Sequence, residues 1–132
     1  MIKRLLIIIL ILLFVSPVFA TVYYIKDDGN DSLAGTSDAT AWDSVSCIET
    51  SGGDSDCGGT TAINDGDDFY FKQNDTWTIT ATYGYQIRHE GVSTANRAVI
   101  GCYEDTGDFD CSGSRPIIQN STEGGWVFET EK

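Results

Sequence analysis

The chain has 132 residues, with 20 carboxylates against 8 lysines and arginines and a formal net charge of −12. That balance argues against a nucleic-acid partner, because binding a phosphate backbone depends on clustered Lys and Arg that displace counterions. The length suits one domain or part of one.

The first element reads as a secretory signal. Lys3 and Arg4 give a positive start, residues 5–15 are an unbroken apolar run, and Ser16 and Pro17 break any helix ahead of Val18-Phe19-Ala20. Cleavage is expected after Ala20. A membrane span needs about 20 apolar residues, and this run is shorter. Residues 1–20 are therefore expected to be removed and residues 21–132 exported, to the medium, periplasm or cell surface. No further apolar run follows, so no membrane segment is expected after cleavage. Loss of Lys3 and Arg4 leaves the exported part more acidic still.

Strand-like runs then recur between turn-rich loops. Residues 21–25 (TVYYI) are β-branched and aromatic, suited to a half-buried pleated surface. They stop at Asp27-Asp28-Gly29-Asn30-Asp31, a cluster of turn formers. Over residues 40–49, Ala41, Val45 and Ile48 have helical spacing and Thr40 is placed to cap, which predicts one short helix. Asp68–Lys72 alternates Phe69 and Phe71 with Tyr70 and Lys72, strand periodicity with the phenylalanines inward. Further strands are expected over 77–80, 85–88, 98–103, 115–119 and 126–129. Gly29, Gly66 and Gly101 read as turn residues. Short, frequent strands exclude an α/β layer fold and leave two all-β architectures, a β-sandwich or a parallel β-solenoid. Starts near residues 69, 98 and 126 are almost evenly spaced, as the coils of a solenoid would be.

All four cysteines fall in the exported part, where an even count favours disulfides. Of the three pairings available, Cys47–Cys57 and Cys102–Cys111 are favoured, because each pair brackets a Gly/Asp-rich stretch that can fold back on itself. Zinc is disfavoured by the lack of a CxxC spacing and by the remoteness of His89.

Several segments in order resemble the opening of secreted right-handed parallel β-helix proteins, the pectate-lyase-like superfamily. Tyr23-Tyr24-Ile25, Gly29-Asn30-Asp31-Ser32, Gly35-Thr36-Ser37 and Ala39-Thr40-Ala41-Trp42 are similar to the first strand, loop and capping helix of that family. Gly66-Asp67-Asp68-Phe69-Tyr70-Phe71-Lys72 with Asn74-Asp75-Thr76-Trp77 is similar to its first coil. Residues 95–101 with Tyr103, then Arg115-Pro116-Ile117-Ile118, are similar to its next. Asn74 stands where the family has a glycine, and asparagine tolerates a left-handed turn. The resemblance implies a right-handed parallel β-helix whose N-terminal cap and first coils lie here, as a piece of a longer protein. It also implies a polysaccharide partner for that protein, as a lyase or glycoside hydrolase. The competing reading is a non-catalytic glycan-binding surface or phage-spike β-helix.

Few residues suggest chemistry of their own. Arg88-His89-Glu90 adjoins a cation, a base and an acid, but neighbours on a strand point to opposite faces. Trp77, Tyr83 and Tyr85 are a potential sugar-stacking platform, against the ordinary role of strand aromatics as core. Calcium is the one cofactor the residues allow. Its ligands would come from Asp27, Asp28, Asn30 and Asp31, or from Asp108 and Asp110, where Gln119 replaces the bidentate glutamate of a calcium loop. Asn30, Asn74 and Asn120 lie in glycosylation sequons.

Overall fold

In the computed structural model, described residues are 20–48, 57–58, 66–80, 85–86, 98–121 and 128–129. The expected signal segment therefore lies outside them, apart from Ala20, as do Tyr83 and Arg88-His89-Glu90. Among the described residues no helix is long and apolar enough to cross a membrane.

The architecture is all-β, made of short strands in small parallel sheets. Among the described residues seven strands occur in chain order: β1 (Val22–Ile25), β2 (Asp68–Lys72), β3 (Thr76–Ile79), β4 (Tyr85–Gln86), β5 (Ile100–Tyr103), β6 (Ile117–Asn120) and β7 (Phe128–Glu129). They form a three-stranded sheet in the order β1-β2-β5 and two pairs, β3-β6 and β4-β7. Every one of these pairings is parallel. The consecutive strands β2, β3 and β4 thus pair in order with β5, β6 and β7. The run starting near residue 126 joins the sheet of β4 rather than that of β2 and β5. The even spacing of starts near 69, 98 and 126 therefore does not mark one repeated strand.

Register explains the alternation read from the sequence. Tyr23 pairs with Phe69 and Ile25 with Phe71, so one face of β1 and β2 points into a common core. That core joins Tyr23, Ile25, Trp42, Val45, Ile48, Phe69, Phe71, Trp77 and Ile79. Tyr23 stacks between Trp42 (4.6 Å) and Phe69 (5.7 Å), and Phe71 meets Trp77 edge-on at 5.2 Å. Full burial of each such ring stabilises by about 1.5–3 kcal/mol. Asn74 turns the chain between β2 and β3 at φ 69°, the left-handed conformation expected of it. Its amide donates to the Ser114 carbonyl, and its side-chain oxygen accepts from the Ser114 amide.

The outer edge of β1 is closed by the segment that follows it. Tyr24 N–H donates to the Gly35 carbonyl, Trp42 N–H to Tyr24 and Lys26 N–H to Trp42. These bonds correct the expected helix. Residue 42 is drawn into extended pairing with β1, so the helical pattern splits into two 3-10 helices, Asp38–Thr40 and Val45–Ile48. Thr40 ends the first of these instead of capping a helix, and its hydroxyl lies 2.9 Å from that of Ser37. Gly29 lies so close to the Trp42 carbonyl that a side chain there would collide with backbone. Gly101 is also not a turn residue: it sits within β5 beneath the Tyr70 ring, where a Cβ would come to 2.5 Å of a ring carbon.

Two disulfides pin the loops, Cys47–Cys57 and Cys102–Cys111, the pairings named from loop bracketing. Beside the first, Gly58 N–H donates to the Asp31 carbonyl at 2.6 Å. Disulfides of this kind fit an oxidising compartment.

Candidate functional site

Chemistry-bearing side chains gather on the outward face of the β1-β2-β5 sheet. Lys72 pairs with Tyr103 in register, and Lys26 follows Ile25, the partner of Phe71, so the three lie side by side. The first 3-10 helix carries Asp38 across this row. Its Oδ1 accepts from Lys72 Nζ at 2.7 Å and from the Tyr103 hydroxyl at 3.1 Å, while Lys26 Nζ lies 3.9 Å from its other oxygen. Lys72 also donates to the Glu104 carbonyl and stands 4.9 Å from the centre of the Tyr103 ring. The Asp38 amide donates to the Thr106 hydroxyl at 2.8 Å, and the Gly107 amide to the Tyr24 hydroxyl at 3.0 Å. The loop after β5 is thereby clasped over the sheet.

Electrostatics make this group a lock. Burial alone would raise the Asp38 carboxyl, but hydrogen bonds from Lys72 and Tyr103 and the charges of Lys72 and Lys26 hold it below the usual carboxylate range. Tyr103 is fully buried, and burial together with the Asp38 charge pushes its phenol well above its ordinary value. It keeps its proton through the neutral range and serves as a donor, not a base. Each member already has its partner, so the arrangement holds structure in place.

The acidic turns are structural in the same sense. Asp31 Oδ1 accepts from the amides of Asp43 (2.7 Å) and Ser44 (2.9 Å), which lead into the second 3-10 helix. Asn30 accepts from the Ser32 amide and hydroxyl, Asp28 pairs with Lys26, and the Asp27 amide donates to Asp75. Asp108 accepts from the Asp110 amide, a local turn. Among the described residues, three acidic or sulfur ligands come within reach of one ion only at Asp31, Cys47 and Cys57, and there the two sulfurs are bonded to each other. Asp43 is raised by partial burial and then by the charges of Asp31, Asp27 and Asp28; Asp75 is raised chiefly by burial.

Trp77 is a core residue, 7% exposed, with its indole N–H donating to the Asp43 carbonyl at 2.8 Å. It packs edge-on against Phe71 as part of the core. Tyr85 lies in β4, and Tyr83 lies outside the described residues. Accessible aromatic surface occurs elsewhere. Phe109 is 45% exposed and packs on Tyr70 at 4.2 Å between ring centres. These two rings border a cleft of about 600 Å³ whose other walls include Ile100, Arg115, Pro116 and Ile118. No linear signal marked these residues, because they come together only through the loop after β5.

Comparison with protein-family models, curated proteins and solved structures gave no match. Function is therefore argued from the geometry.

Proposed function

We propose that residues 21–132 are the N-terminal cap and first coils of a right-handed parallel β-helix in a secreted, polysaccharide-active protein of the lyase or glycoside hydrolase type. The observation that carries this reading is the ordered pairing of β2-β3-β4 with β5-β6-β7, parallel in all three sheets. Parallel crossovers are right-handed in about 98% of cases, because a twisted strand packs back on its sheet in that hand. The covered edge of β1 supports the role of a cap, since an exposed strand edge invites pairing with other chains. On this reading the segment itself is structural, and Asp38, Lys72 and Tyr103 hold its loop rather than act on substrate. The signal segment and the two disulfides support export.

The test is incubation of the secreted full-length product with pectate, alginate and neutral glucans, following new reducing ends and unsaturated uronides. Release from at least one polymer is expected. Binding without any release would replace the enzyme by a glycan-binding adhesin on the same scaffold.

A further inference from the structure

We infer that removal of the leader completes the fold: a cut after Ala20 turns the Thr21 nitrogen into an α-ammonium that pairs with the buried carboxylate of Asp67. The ground is where Asp67 lies. Val22 pairs with Asp68 in the register of β1 and β2, so Thr21 stands opposite Asp67. Alternation puts Asp67 on the side of Phe69 and Phe71, and Thr21 on the side of Tyr23, at one end of the core. Asp67 is only 2% exposed, and its Oδ1 accepts from the Thr21 N–H at 2.7 Å. The Thr21 carbonyl accepts from the Asp68 amide at 2.8 Å, so residue 21 is held through both its nitrogen and its oxygen. Gly66, at φ 91°, turns the chain just ahead of Asp67. Ala20 is exposed, so the chain leaves the fold at the bond to be cut.

Hydrolysis of the Ala20–Thr21 bond consumes one water and leaves a carboxylate on Ala20 and an ammonium on Thr21. The nitrogen that already donates to Asp67 then carries a positive charge in the same place. Hydrogen bonds between charged groups are roughly twice as strong as neutral ones. A buried carboxylate is costly, and a cation in contact with it offsets that cost. With the leader attached, the same nitrogen is a neutral amide and β1 is tied down more weakly. The precursor is thus the less stable form, and β1 gains its full anchor only once the leader is gone.

The inference rests on export with cleavage after Ala20 and owes nothing to the choice of polysaccharide. The secreted full-length product is purified, and its intact mass gives its first residue. A second chain carries one extra alanine before Thr21, which keeps an amide at residue 21 and moves the ammonium outward. The chain starting at Thr21 is expected to melt about 4 °C higher, as a charged in place of a neutral hydrogen bond implies. In the Asp67→Asn background the two forms should melt together. Amine labelling near neutral pH reads the pair without that variant. The α-amine of the folded Thr21 chain should react about tenfold more slowly than that of the extended chain, because an adjacent carboxylate favours the unreactive protonated form. Equal melting temperatures, a gap that survives in Asp67→Asn, or equal labelling of the two α-amines overturns the ion pair and leaves the cut standing. A first residue other than Thr21 sinks the cut, and the proposal with it.

Discussion

Asp38 gathers Lys72, Tyr103 and Lys26 around one carboxylate. Its ionised form is held by two hydrogen bonds and by two ammonium charges, so its folded pKa lies below that of the unfolded chain, about 3.9. A depressed acid contributes its stability above the unfolded pKa and loses it as pH falls through the folded value. Asp38→Asn is therefore expected to cost about 1–2 kcal/mol at neutral pH, between the values of exposed and buried pairs. The gap from wild type should close as pH falls through the folded value of Asp38. Thermal melts of both proteins across that range check it; a constant gap contradicts the lock. None of this was legible in linear order, because Asp38 lies 34 residues from Lys72 and 65 from Tyr103.

At the level of elements, the strands were readable and the helix was not. Asp68–Lys72 alternates so regularly that composition alone assigns its inner and outer faces, and the burial of Phe69 and Phe71 agrees. Residues 40–49 carry helical spacing too, yet the β1 edge competes for the backbone of Trp42 and wins it. An unpaired strand edge beside a weak helix former settles that contest in favour of pairing. The second 3-10 helix is then held by Asp31 and by the Cys47–Cys57 bridge. Replacing both cysteines by serine is expected to lower stability by about 2–3 kcal/mol, as loss of a short closed loop implies. Urea unfolding reads this, and an unchanged midpoint would show that the hydrogen bonds to Asp31 suffice.

Across the whole molecule, carboxylates far outnumber cations, and the acidic turns crowd one another. The raised carboxyls of Asp43 and Asp75 record partial burial first and that crowding second. Added salt screens such repulsion within roughly 10 Å at 0.1 M. The melting temperature is therefore expected to rise with sodium chloride. Asp43→Asn should raise it at low salt and blunt the salt response. A melting temperature that falls with salt would mean that the Asp38 ion pairs outweigh the repulsion.

From its sequence alone this chain determined the positions of its described strands, the left-handed turn at Asn74 and which cysteines stand close enough to bridge. All of these are local properties of composition, alternation and short spacing. Tertiary structure alone decided which strands pair, that Trp42 belongs to an edge and Trp77 to the core, and that Arg115 meets Phe109 across a cleft. Parallel sheets join strands separated by long crossovers, so those contacts follow from how the coils stack, and no short stretch of residues encodes them.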